Sequence, residues 1–110
     1  MVSYLGLNEE ASRINTSLKE HFGFKDEIDM FMFAFAYAVT KDLKPVPVSF
    51  LTKWGIPDNV DVSGLVHVLY PNETDEPNKL CNYLAHAGIY EINTLVGRDH
   101  HILISNLVSK

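Results

Sequence analysis

The stretch that decides the fold runs from Asp26 to Leu43 and reads DEIDMFMFAFAYAVTKDL. Its centre, from Met30 to Val39, holds only apolar and aromatic residues. A helix that crosses a membrane needs about 20 such residues in succession, and this run is much shorter. We therefore exclude a membrane anchor, which leaves a buried strand or a buried helix.

Two features of this stretch favour the helix. Larger and smaller residues alternate along part of it, as they would in a strand, but its alanines and methionines are good helix formers. Acidic residues precede the run and lysines follow it, which is the order that the helix dipole favours, and Pro45 ends the pattern. The stretch therefore predicts a helix over residues 26–42.

A helix that is apolar on most of its surface must be buried on most sides. One predicted face consists of Ile28, Met32, Phe35 and Val39, and Phe31, Ala34 and Ala38 flank it. Either the rest of the chain or a second copy must cover these residues. We therefore expect a mainly α fold, a small helical bundle around helix 26–42, and we consider a homo-oligomer.

The residues before this helix predict another one over 8–22. Asn8 is suited to be its N-cap, and Gly23 follows at the place where a glycine commonly ends a helix. Residues spaced by three or four form one apolar stripe, which consists of Ala11, Ile14, Leu18 and Phe22.

The second half of the chain predicts a further helix that opens at Thr74 or Asp75 and ends at Gly88. Its apolar stripe consists of Leu80, Tyr83, Leu84 and Ala87. A short helix within 61–70 and a polar turn over 71–78 precede it. Residues 89–96 suit another short helix, although a hairpin around GRDH is an alternative. Short strands could form at the N-terminus, over residues 2–7, and near 101–105.

Residues 44–60 contain three prolines and one glycine and predict a long irregular connection. The segment is too apolar for a free linker, so we expect it to pack across the bundle, and long connections in small domains are often functional. Tryptophan is common at the energetic centre of protein interfaces. We predict a partner-binding patch made of Phe50, Leu51, Lys53 and Trp54, although Trp54 could equally cap the core.

The composition is that of one soluble globular domain over residues 1–110, with 46% hydrophobic and 21% charged residues. The net charge of -5 opposes extended binding to a phosphate backbone. Cys81 is the single cysteine, which excludes an intrachain disulfide and fits a cytoplasmic protein. The start of the chain lacks the features of a secretion signal, and we expect no membrane association.

The sequence shows no catalytic signature, and we expect no enzyme, no cofactor and no metal site. The acidic groups around Asp26 and Asp75 lie at predicted helix starts, where carboxylates cap helices. His67, His86 and the pair His100–His101 lack the spacing of zinc ligands. His86 and His67 are expected to be partly buried and hydrogen-bonded, and Cys81 is expected to be a buried structural residue.

Two arrangements could contact nucleic acid. Helices 61–70 and 75–87 could form a helix-turn-helix, but the second helix begins with acidic residues, which suit DNA poorly. Lys19 and Lys25 flank the turn between the first two helices and are the weak candidates for nucleic-acid binding. A DNA-associated protein would need these lysines to converge with Lys41, Lys44 and Lys53.

Residues 14–39, INTSLKEHFGFKDEIDMFMFAFAYAV, combine a short helix, a glycine turn and an alanine-rich apolar helix. This quarter of the chain resembles DndE-like small accessory proteins of bacterial DNA phosphorothioation and phage-defence operons. The resemblance implies an all-α fold, self-association and a role beside a larger complex. The basic, DNA-contacting character of that family is mostly missing here.

The leading prediction is a non-catalytic accessory or adaptor protein that binds a larger protein partner, in a bacterial anti-phage defence or DNA-modification complex. The first alternative is a phage-encoded acidic inhibitor of a host defence or nucleic-acid-binding protein, which would need its carboxylates on one face. The second alternative is a small DNA-associated protein. For the leading prediction, any contact with nucleic acid is expected to be indirect.

Overall fold

The computed structural model describes residues 4–55, 77–103 and 107, and it describes side chains within 5–50, 79–103 and 107. Three helices and two strands make up this part of the chain, so the fold is mainly α, as the sequence predicts. In chain order the elements are β1 (Tyr4–Leu7), α1 (Glu9–Phe22), α2 (Glu27–Thr40), β2 (Leu51–Gly55) and α3 (Pro77–Arg98). No helix in these residues combines the length and apolar character that crossing a lipid bilayer requires.

Helix α1 begins and ends as its sequence predicts. The Asn8 side chain accepts a hydrogen bond of 2.7 Å from the backbone N–H of Ala11, which satisfies one of the free donors of the first turn. At the other end Gly23 adopts a left-handed conformation, with φ of 75°. The backbone N–H of Phe24 then donates to the carbonyl of Lys19, which gives the Schellman arrangement.

Helix α2 forms the central contact of the bundle, and the predicted helix over 26–42 is confirmed. Its most buried residues are Met30, Phe31, Ala34, Phe35, Tyr37 and Ala38. Ile28, Met32 and Val39, three of the four residues of the predicted apolar face, are only half-buried. The inner face is therefore rotated toward the smaller residues Ala34 and Ala38, because α3 approaches α2 there. Most of the apolar surface of α2 is covered by its own chain.

Helix α3 corrects the predicted break at Gly88, since one helix continues from Pro77 to Arg98. A Cβ atom at Gly88 would lie 2.1 Å from the carbonyl oxygen of Ala34. Only glycine permits this contact between α2 and α3, so Gly88 serves close helix packing and not helix termination. The predicted separate helix over 89–96 is the second half of the same element.

The two strands form an antiparallel pair that links the start of the chain to its centre. The short strand predicted within residues 2–7 is confirmed as β1, which places Leu5 and Leu7 in the core. Strand β2 corrects the prediction of a wholly irregular connection over 44–60, although residues 43–50 do lack regular structure. This connection packs on α3, as expected, because the backbone N–H of Val46 donates to the carbonyl of Tyr83 at 3.2 Å.

Of the strand or extended segment expected near 101–105, the described residues 101–103 form no strand, and residues 104 and 105 lie outside the described residues. His100 and His101 lie in a turn, where the backbone N–H of His101 donates to the Asp99 carboxylate. The predicted helix within 61–70 lies outside the described residues. So do the turn residues 71–76 and, with them, the first helix of the predicted helix-turn-helix.

Candidate interaction site

The predicted partner-binding segment begins at Phe50, which packs against α3. Its ring is half-buried, with the centroid 6.3 Å from the rings of Tyr83 and His86. Phe50 therefore covers His86 and holds the segment to the bundle by aromatic contacts.

The remaining members of the predicted patch belong to β2. Trp54 pairs with Leu5, and Leu51 pairs with Leu7. Lys53 is the extra residue of a β-bulge, because Thr52 on its other side pairs with Gly6. The four predicted patch residues, which are neighbours in sequence, therefore lie at the end of the connection and in β2. The side chains of Leu51, Lys53 and Trp54 lie outside its description.

A buried polar cluster fixes β1 and the start of α1 to α3. The side-chain oxygen of Asn82, a fully buried residue, accepts a hydrogen bond of 3.0 Å from the backbone N–H of Gly6. The Asn8 amide donates to the Tyr90 hydroxyl at 3.2 Å. On α3 the cluster consists of Asn82, His86 and Tyr90. Each is four residues, or about one helical turn, from the next, which places the three side chains on one face.

His86 occupies the centre of this cluster and is fully buried. Its Nε2 accepts from the backbone N–H of Asn8 at 3.0 Å, and its Nδ1 donates to the carbonyl of Asn82 at 2.6 Å. These partners require a neutral ring with its proton on Nδ1. Burial lowers the pKa of His86 below its usual value of 6.5, although the bond to Asn82 opposes the shift. The prediction of a buried, hydrogen-bonded histidine is confirmed.

An open groove of about 450 Å³ lies between the connection after α2 and the C-terminal half of α3. Apolar side chains of Leu43, Val46 and Leu95 contribute to its lining. Lys44 and Arg98 also line it, and both are exposed. Neither makes an ion pair with any residue in the described ranges 4–55 and 77–103.

Glu91, the acidic residue of the groove lining, is engaged by the core. Its carboxylate accepts a hydrogen bond of 2.8 Å from the Tyr37 hydroxyl. Burial of Tyr37, together with the bond to Glu91 and its negative charge, raises the pKa of Tyr37 to about 12. The two cations, by contrast, make no hydrogen bond or ion pair within the described residues.

The lysines proposed for nucleic acid do not converge. Lys19 and Lys25 lie near the start of α2, whereas Lys41 and Lys44 lie beyond its end. With a helical rise of about 1.5 Å per residue, the two pairs are separated by roughly 20 Å along α2. Lys41 also lies over the Tyr37 ring, 5.9 Å from its centroid. This separation does not favour a DNA-associated protein that reads a duplex through these residues.

Cys81 and the acidic residues from Asp26 to Asp29, which could in principle carry chemistry, instead contribute to the core and to a helix start. Cys81 is buried, and burial raises the pKa of its thiol to about 12, which disfavours a reactive thiolate. Asp26, Glu27 and Asp29 lie at the start of α2, where the Asp29 carboxylate accepts from the Asp26 backbone N–H at 3.3 Å. No group of three or more His, Cys, Asp or Glu residues within the described ranges could hold a metal ion.

Sequence reasoning missed Asn82, Tyr90 and the pair Tyr37–Glu91. Asn82 and Tyr90 are four residues before and after His86, so the helical spacing was a usable signal once His86 was expected to be buried. Tyr37 and Glu91 are far apart in sequence, and nothing in the local pattern of either residue indicates the other.

Comparisons with known proteins do not assign this chain to a family. No protein-family model matches the chain, and neither the search of curated proteins nor the search of solved structures gave a significant match.

Proposed function

We propose that this protein is a non-catalytic accessory or adaptor protein that binds a larger protein partner through the segment 50–54. The proposal rests on the attachment of this segment to the rest of the fold at both of its ends. Phe50 packs on α3, and β2 continues from it while paired to β1. Strand β1 is in turn bonded to Asn82 of α3.

This attachment favours binding because a segment that is already ordered loses less conformational entropy when a partner docks. A tryptophan in such a segment suits a binding hot spot. The bulge at Lys53 adds a local change of strand direction, as bulges near functional sites often do. The proposal therefore combines a rigid attachment with residue types that are enriched in interfaces.

The finer assignment, to a bacterial anti-phage defence or DNA-modification complex, is supported by the resemblance of residues 14–39 to DndE-like accessory proteins. Self-association belongs to the same proposal. It is supported by the half-buried Met32 and the exposed Ala36 on α2.

The experiment begins with co-purification of the tagged chain from its native host and identification of the bound protein. The purified pair is then measured by calorimetry. Trp54→Ala is expected to weaken binding by at least about 30-fold, which corresponds to about 2 kcal/mol for a hot-spot residue. Phe24→Ala is the control, because this half-buried aromatic lies in the turn after α1, against Phe33.

Thermal unfolding separates the two roles considered for Trp54. If Trp54→Ala lowers the melting temperature but leaves the affinity unchanged, Trp54 belongs to the core and the proposed surface is wrong. A gel-shift assay that finds tight duplex binding at physiological salt would instead favour the DNA-associated protein.

A further inference from the structure

The groove between the connection after α2 and helix α3 provides a second surface that is separate from segment 50–54. It is defined here by Leu43, Lys44, Val46, Glu91, Leu95 and Arg98 and has a volume of about 450 Å³. That volume lies within the range of sites that bind small ligands or a few side chains of a peptide.

The charges of the groove differ from those of the protein as a whole. The chain has a net charge of -5, yet Lys44 and Arg98 are exposed and lack ion-pair partners among the described residues. Glu91 accepts the Tyr37 hydroxyl at 2.8 Å, so one of its oxygens is already used. The groove therefore offers two unpaired cations to a ligand, and complementary charge selects partners and speeds their encounter.

The uncharged polar groups of the same lining are satisfied within the protein. The Thr94 hydroxyl donates to the carbonyl of Tyr90 at 3.0 Å, and the Tyr90 hydroxyl is bonded to Asn8. Tyr90 also packs near His86, with 6.3 Å between the ring centroids. A ligand would thus meet apolar surface together with two cations. Stacked nucleic-acid bases prefer free aromatic faces and a longer basic track.

We propose that this groove binds an acidic peptide segment of a partner protein. An aliphatic side chain of the peptide packs against Leu43, Val46 and Leu95, and nearby carboxylates of the peptide pair with Lys44 and Arg98. Arginine suits this role because its planar guanidinium can bind a carboxylate through two parallel hydrogen bonds. The proposal stands apart from the proposed function, since it names a different surface and a specific peptide chemistry.

The test is a selection from a random peptide display library against the full chain. Peptides are selected on the natural chain alone, and the double variant Lys44→Gln with Arg98→Gln, which removes both charges, is kept for the affinity measurement. We expect enriched sequences in which one aliphatic residue is flanked by Asp or Glu. The best peptide is then labelled, and its dissociation constant is measured by fluorescence anisotropy.

The groove variant is expected to weaken binding of that peptide by at least about 30-fold. The matched control is Arg13→Gln with Lys25→Gln, which makes the same change in net charge at exposed positions on α1 and in the following turn. The control should bind within about twofold of the natural chain. Raising the salt from about 0.1 M to about 1 M should weaken binding, because ion pairs at an exposed surface are screened.

Three results would overturn the proposal. Enriched peptides could lack acidic residues, or they could bind the groove variant as tightly as the natural chain. Sedimentation could also show a dimer of the natural chain that the groove variant abolishes, which would make a second copy the occupant. Each of these results leaves the role of segment 50–54 to its own experiment.

Discussion

The Nε2 atom of His86 accepts a hydrogen bond of 3.0 Å from the backbone N–H of Asn8, which lies seventy-eight residues earlier in the chain. Because the other ring nitrogen donates to the carbonyl of Asn82, the ring has no acceptor left for a second proton. A protonated ring would place an N–H donor against the N–H of Asn8. One titratable side chain therefore controls how the start of α1 is held to α3.

This arrangement predicts that the protein loses stability in mild acid. The pKa of His86 is lowered in the folded state from its usual 6.5, so the unfolded chain binds the extra proton more readily. The stabilisation is complete above pH 6.5 and decreases as the pH falls below that value. The slope from this one group cannot exceed about 1.4 kcal/mol per pH unit. Urea unfolding between about pH 8 and about pH 5 measures it.

The control for this prediction is His86→Gln, which removes the titrating ring and retains hydrogen-bonding capacity. This variant should be less stable near neutral pH, and its unfolding free energy should change less between the two pH values. If the natural chain and the variant lose the same amount of stability on acidification, the acid sensitivity comes from other groups and the prediction fails.

Much of the helical framework could be predicted because its signals are local. Asn8, Gly23 and the charges around 26–42 act on the helix that contains or adjoins them. The predicted helix end at Gly88 was wrong because this glycine is required by a contact with the Ala34 backbone, which belongs to another helix. Strand β2 was missed for a similar reason, since β pairing is set by the partner strand, and the prolines of 44–60 suggested irregular structure.

The close contact at Gly88 predicts opposite results for two glycines of the same helix. Gly88→Ala would place a methyl group 2.1 Å from the Ala34 carbonyl oxygen, so α2 and α3 must separate. We expect a loss of at least about 2 kcal/mol in the free energy of unfolding. Gly97→Ala is the matched control, because nothing lies within 4 Å of its added Cβ.

In an exposed helix, alanine in place of glycine should add about 0.5 kcal/mol of stability. Denaturant unfolding of both variants checks this pair of predictions. Equal stability of Gly88→Ala and the natural chain would show that the two helices do not approach as closely as the structure places them.

Helix α2 ends at a non-glycine residue in the left-handed region, which provides a stabilising substitution. Asp42 has φ of 54°, and the N–H of Leu43 donates to the carbonyl of Ala38 as in a Schellman ending. Asp42→Gly should raise the unfolding free energy by about 0.5 kcal/mol, because glycine adopts this conformation without strain. Gly23→Ala should lower it by about 1 kcal/mol for the opposite reason.

Thermal and denaturant unfolding of these two variants should therefore shift in opposite directions. A destabilised Asp42→Gly would mean that the aspartate side chain contributes more to this turn than its backbone strain removes. Far-ultraviolet circular dichroism of both variants should match that of the natural chain, which checks that neither substitution disturbs the bundle.

The hydrogen bond between Tyr37 and Glu91 predicts a second pH effect, at the alkaline end. The pKa of Tyr37 is raised to about 12 in the folded state, above its usual value of 10.0. The unfolded chain therefore loses this proton first, and stability should be complete below pH 10 and fall as the pH rises toward 12. Tyr37→Phe should remove this loss and cost about 1 kcal/mol near neutral pH, since a partly buried hydrogen bond is lost.

Glu91→Gln separates the causes of the shift. Burial is the largest contribution and remains in this variant, whereas the negative charge of the carboxylate is gone. The ultraviolet titration of Tyr37, obtained as the difference between a protein with Tyr37 and one with Tyr37→Phe, should move toward lower pH in Glu91→Gln but stay above 10. A Tyr37 that titrates near 10 in the natural chain would show that its hydroxyl is open to water and that the contact between α2 and α3 at this point is looser than described.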